Sequence, residues 1–226
     1  MIKVCLNMFS LVKHHFLTID LTSYFVVPLM IIMGYLINVP PMFLFSVTVI
    51  SIPIIIYFFN YKSHANRFLV SLPVSTISII RSQYVFSVLL GMSILLLQLI
   101  IMAIVYVTFG TALYIYDWRD VIILFSLVLI VSAIVIPIYQ LVRSFVWATV
   151  IVGVLYILGI LSSLPLLVRA LNMEDYINFN ALDPGVHIVV EQYLPFQTYP
   201  LLLLIAIILF FVSMWLSYRL YASSDN

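Results

Sequence analysis

The side chains suited to metal binding or acid–base catalysis are few: four histidines, eight carboxylates and one cysteine among 226 residues. His14 and His15 are neighbours in sequence and therefore point to different sides of a helix. His64 and His187 fall in polar segments that the intervening apolar runs would place on opposite sides of a membrane. Interfacial or solvated histidines are expected. Cys5 stands alone, so no intramolecular disulfide or cysteine metal cluster can form. Glu174, Asp175 and Glu191 are the one carboxylate cluster that could serve an unfamiliar membrane enzyme. No histidine ligand or nucleophile accompanies them at recognisable spacing, and solvated loop charge is the simpler reading. None of the six glycines forms G-x-x-x-x-G-K-[ST], so no Walker A loop can cradle ATP phosphates, and H-E-x-x-H and G-x-S-x-G are absent too. The expectation is a chain with no catalytic residue, no metal and no cofactor, which is not an enzyme by itself.

The elements that would position any site are apolar helices. The chain is 65% hydrophobic and 8% charged, against about 25% charged residues in ordinary globular domains. A bilayer core of about 30 Å needs about 20 apolar residues per helix. Six stretches meet or approach that length: Leu21–Ile37, Met42–Phe59, Tyr84–Phe109, Val121–Leu141, Phe145–Val168 and Thr198–Tyr218. The first is short for a span. The third is long and should tilt or protrude at one end. The runs are continuous rather than alternating, which argues against a strand barrel. The expected fold class is all-α: one polytopic integral membrane domain over residues 1–226, with six transmembrane helices. No A-x-A cleavage site follows the first apolar run, which ends in Asn38-Val39-Pro40-Pro41.

Charge distribution orients these spans. With the N-terminus inside, Lys3, Lys13, Lys62, Arg67, Arg81, Arg143 and Arg219 are inner, and only Arg119 and Arg169 are outer. A Lys/Arg excess marks the cytoplasmic side, so both termini are expected in the cytoplasm and the chain in the cell membrane. Residues 1–20 form an N-terminal cytoplasmic or interfacial segment. Phe9, Val12, Phe16 and Ile19 recur there at helical spacing, which fits a helix lying on the inner leaflet or a cytoplasmic extension of the first span. The extracellular loop 169–197 carries Glu174, Asp175, Asp183 and Glu191, an apolar run Val186–Val190, and a turn signal at Asp183-Pro184-Gly185. Its length favours short helices that dip toward the membrane or cap its outer face.

The expected spans contain no Asp, Glu, Lys, Arg or His. Ion-coupled pumps usually need such groups within the membrane, so a self-powered transporter is disfavoured. Gln98 and Gln140 could line a passage, although interhelical hydrogen bonding is the commoner role for such residues. Gly159 and Ser163 form a small-xxx-small pair that fits close helix packing.

One long basic stretch, Asn60–Tyr84, separates two spans and carries Lys62, His64, Arg67 and Arg81 without a carboxylate. Phe68, Leu69 and Leu72 could form the apolar side of a short helix that Pro73 breaks. Ser75 can cap a following helix, on which Ile77, Ile80 and Tyr84 lead into the third span. Positive-inside topology with snorkelling side chains would also explain the charge.

The string RFLVSLPVSTISIIRSQY resembles the region after the second span in ABC-2 type permeases, where a "SLPVS" stretch precedes a helix carrying a basic residue or glutamine and a tyrosine. The matching positions are Ser71, Leu72, Pro73, Val74, Ser75, Arg81, Gln83 and Tyr84; Thr76 stands where the family commonly has a basic residue. The six-span layout and the long fifth-to-sixth outer loop extend the resemblance over nearly the whole chain. It implies a membrane subunit of an ATP-binding-cassette exporter, working as a dimer with a second permease copy or a paralogous permease. Segment 60–84 would be the cytoplasmic coupling loop that docks on a separate ATPase subunit, with Arg67, Phe68, Leu69 and Leu72 as the docking residues and Lys62 and Arg81 at lipid head groups or the rim. No nucleic-acid partner is expected. The small size and the Phe/Ile/Tyr-rich composition are also similar to permease subunits of the staphylococcal exporter for phenol-soluble modulins, which implies short amphipathic helical peptides as cargo. An apolar passage would suit a lipid equally. Rival readings are a permease for bacteriocin immunity or for lipid or drug efflux, a membrane enzyme, and a non-transport sensor or assembly subunit.

Overall fold

The computed structural model describes residues 8–19, 21–37, 39–62, 75–109, 115–142, 144–170, 182–193 and 198–224. Among the described residues every regular element is an α-helix and none is a strand. In chain order these are α1 (Met8–Thr18), α2 (Leu21–Leu36), α3 (Pro41–Lys62), α4 (Thr76–Phe109), α5 (Trp118–Leu141), α6 (Phe145–Ala170), α7 (Leu182–Tyr193) and α8 (Thr198–Ser224).

Five of them, α3, α4, α5, α6 and α8, are long and apolar enough to cross a membrane. Helix α2 has 16 residues, about 24 Å at 1.5 Å per residue, short of a core of about 30 Å. Helix α1 supplies a separate first piece. It packs on the first turns of α4 and on α3, with Leu11, Val12, His15 and Ile19 buried. Of the expected stripe, Val12 and Ile19 are buried, whereas Phe16 is exposed with its ring edge-on to Phe86. His15 joins the buried face. Far from solvated, it is 2% exposed, its ring stacks on Phe86, and its Nε2 lies 3.3 Å from Ser82 Oγ.

Helix α4 runs for 34 residues, about 51 Å. It begins eight residues before the expected span because Ser75 ends the loop: its carbonyl accepts the Ser78 and Ile79 N–H groups at 2.9 and 3.3 Å. The Ser75 hydroxyl meets Ser78 Oγ at 2.7 Å. Helix α5 starts on a capping box, in which Asp117 accepts the Arg119 and Asp120 N–H groups and Asp120 accepts the Asp117 N–H. Such a cap satisfies N-terminal amides that have no partner within the helix.

The most extensive packing joins α5 and α8. Helix α4 crosses α5 at Gly91, where an added Cβ would lie 2.5 Å from Val128 Cγ1, so only glycine admits this approach. Leu44 packs equally close on Gly34 of α2. Helix α6 is mostly exposed. Nothing lies within 4 Å of a Cβ placed at Gly159, so the Gly159–Ser163 pair makes no close helix contact among the described residues.

Candidate functional site

Two polar layers cross the bundle, one at each end. At the end where α3 stops and α4 starts, Tyr57 on α3 donates to Gln83 Oε1 on α4 at 3.1 Å. Gln140 on α5 donates to the same oxygen at 2.9 Å and to the Tyr57 hydroxyl at 2.9 Å. Tyr57 stacks on Tyr139 at 4.3 Å, and the Tyr139 hydroxyl meets Thr149 of α6 at 2.8 Å. Tyr84, fully buried, reaches Ser213 and Ser217 of α8 at 2.8 and 2.9 Å. A third link joins Ser87 to Ser132 at 2.7 Å. Gln83 and Tyr84 thus tie α4 to α3, α5 and α8 near the end of α3 and the start of α4. In an apolar medium each such group must find a protein partner, which fixes the relative rotation of the helices.

The other end is built around α7. The expected turn at Asp183-Pro184-Gly185 is instead the first turn of this helix, where proline is tolerated because its missing N–H would have no intrahelical partner. His187 Nε2 pairs with Asp120 Oδ1, and its Nδ1 lies 3.1 Å from the Tyr199 hydroxyl. Tyr199 donates to Glu191 at 2.7 Å, and Arg119 lies 3.6 Å from the same carboxylate. The ring of contacts clamps α7 to the starts of α5 and α8. Ligand atoms of Asp117, Asp120 and His187 lie within 4.8 Å of one another, close enough for one cation. The capping box and the His187 pair already account for these side chains. His187 pairs with Asp120, a carboxylate outside the expected Glu174, Asp175 and Glu191 cluster, brought to it by folding across some 70 residues of sequence, and reaches Glu191 only through the Tyr199 hydroxyl.

Gln98, 0% exposed, donates to the Pro41 carbonyl at 2.8 Å and to the Tyr116 hydroxyl at 3.0 Å. It links α4 to the start of α3 and to the segment entering α5. Both glutamines bridge helices, and neither is in the wall of the large cavity between α3, α5, α6 and α7. That cavity, about 730 Å³, lies under α7, and Asp183 stands in its wall. Asp183 is 2% exposed and accepts the Met42 N–H at 3.4 Å. Burial pushes its carboxyl up to about 7, against the Met42 hydrogen bond and with help from nearby Asp120.

Arg67, Phe68, Leu69 and Leu72 lie outside the described residues, as do Glu174 and Asp175. Lys62 and Arg81, which flank the loop, are exposed. Sequence reasoning missed Asp183, Tyr57 and Gln83 as members of polar layers. Only Gln83 carried a signal, as a lone amide one residue before the span expected at Tyr84.

A family model described as "ABC-2 family transporter protein" matches residues 9–222. Neither a curated protein nor a solved structure matches the chain.

Proposed function

The chain belongs to the ABC-2 family of transporter proteins, and on that premise we propose that it is the permease subunit of an exporter driven by a separate ATP-binding-cassette ATPase. It is a multi-pass membrane protein, and the family match over residues 9–222 carries the reading. In the proposed arrangement the chain crosses the membrane six times, with α2 as a short first crossing, α1 on the cytoplasmic side of it and both termini in the cytoplasm. ATP is hydrolysed in the partner, and a second permease, identical or paralogous, completes the transmembrane unit. The cargo is a short amphipathic peptide of the phenol-soluble modulin kind.

Coupling runs through segment 60–84, with Arg67, Phe68, Leu69 and Leu72 on the ATPase. What supports this is the anchoring on either side of the loop. Tyr57 lies five residues before the end of α3 and Gln83 seven after the start of α4, and both meet Gln140 of α5. A push on the loop therefore displaces α3, α4 and α5 together rather than bending one helix. Helix α4 then carries the displacement to the α7 end, where Gln98 holds Pro41 and Tyr116.

Affinity purification of the chain from its native membrane tests the reading, with co-purifying proteins identified and ATPase activity measured. A stoichiometric ATP-binding-cassette subunit is the expected result. A preparation free of any nucleotide-binding protein in mild detergent would refute it. Arg67→Glu is expected to lower ATPase recovery and peptide export with membrane insertion intact.

A further inference from the structure

The cavity beneath α7 lies within one chain, and its volume of about 730 Å³ falls in the range of roughly 300–1,000 Å³ typical of pockets that bury a drug-sized molecule. Its wall is apolar except for Ser46, Ser126, Ser163 and Asp183. Two of these are satisfied: Ser46 donates to the Phe43 carbonyl at 2.8 Å and Ser163 to the Ile160 carbonyl at 3.1 Å. Ser126 is different. It is 1% exposed, and its hydroxyl has no hydrogen-bond partner among the described residues. Asp183 takes part in none of the ion pairs among the described residues, which join Arg119 to Asp117 and Glu191 and His187 to Asp120. An unpartnered buried hydroxyl and a buried carboxylate without a cation both carry a desolvation cost that a ligand with donors would remove.

We propose that this cavity binds a lipophilic amine of drug size, with its protonated nitrogen on Asp183 and its apolar body among Phe43, Ile130, Leu164 and Val186. Ser126 faces the same space from α5 and hydrogen-bonds to a polar atom farther along the ligand. The sign of the ligand charge follows from the wall. An ammonium brings up to three donors and one positive charge to a carboxylate that lacks a cation. An anion would face Asp183 with Asp120 close behind it. A neutral chain would fill the space and leave both polar groups as they are. Asp183 belongs to the first turn of α7, so the ligand ties α7 to α5 and α6 as it binds. This inference needs only the chain itself and does not rest on the transport reading.

The test uses the full chain purified into phosphatidylcholine nanodiscs, titrated with dodecylamine, dodecanol or laurate and read by native mass spectrometry against empty nanodiscs. The expected result is saturable binding of one dodecylamine, about tenfold or more tighter than dodecanol or laurate, as a charge-assisted contact implies. Asp183→Asn should remove that preference while leaving dodecanol binding in place, and Ile130→Phe should weaken all three by filling the cavity. Equal binding of the three probes to the unaltered chain would overturn the proposal, as would dodecylamine binding no higher than in empty nanodiscs. The three-probe comparison decides the matter even where a variant fails to fold.

Discussion

At the scale of residues, the polar side chains act by what they bridge. Gln83 is buried and accepts from both Tyr57 and Gln140. Replacing Gln83 with Leu leaves those two donors short of an acceptor, at a cost of about 1–2 kcal/mol. Thermal unfolding in detergent should show the lowered stability. Under the proposed coupling, Gln83→Leu should also reduce peptide-stimulated ATPase activity of the proposed complex without loss of ATPase recovery, because the proposed docking residues are untouched. Asp183 makes a pH prediction. Its folded-state value of about 7 lies above the ordinary 3.8, so the folded chain holds more protons than the unfolded one between about pH 4 and 7. Stability from this group is therefore complete below about pH 4, falls as pH rises, and is lost above about pH 7. The negative charge of Asp120 on α5 adds to the shift. Unfolding of Asp183→Asn followed across that range should be flatter than that of the parent chain, with a higher midpoint at pH 8.

At the scale of elements, packing follows where small residues allow helices to approach. Gly91 faces the Val128 side chain at a distance that no Cβ tolerates, and a β-branched valine cannot swing away. Gly91→Val should cost about 1–3 kcal/mol through overpacking, visible as a lower unfolding midpoint and poorer recovery. Gly153 on α6 has nothing within 4 Å of a Cβ placed there. Gly153→Val should leave the stability of the isolated chain unchanged to within measurement, and comparing the two variants separates packing from helix propensity. Helix α7 depends on its clamp. His187→Ala removes the contacts to Asp120 and Tyr199 together, and faster hydrogen exchange confined to residues 182–193 is the expected signature.

At the scale of the whole molecule, the arrangement of α1 and α2 decides the topology. Five helices are long enough to span, and a crossing by the shorter α2 would make six. Six crossings put both termini on one side, and five put them on opposite sides. Cys5 is the only cysteine, so labelling it in sealed vesicles with an impermeant maleimide reports the N-terminal side. A Cys5→Ser chain with Ser224→Cys reports the other end. Equal protection of the two positions is expected, and opposite protection would exclude the six-span arrangement.

Composition and run length were enough to establish a helical membrane protein, because each apolar run must satisfy its own backbone in lipid. The loop motif pointed to the family now shown by the match over residues 9–222. Local signals also placed the start of α4 at Ser75, since a cap is a short-range contact. Tertiary structure alone decided what Gln140 and Gln98 touch, that His15 is buried, and that His187 meets Asp120. Those partners are far apart in sequence, and no periodicity reports which helix faces lie opposite one another. The turn signal at Asp183-Pro184-Gly185 misled for a related reason: the same three residues suit a turn or the first turn of a helix, and packing against α3 and α6 favours the helix.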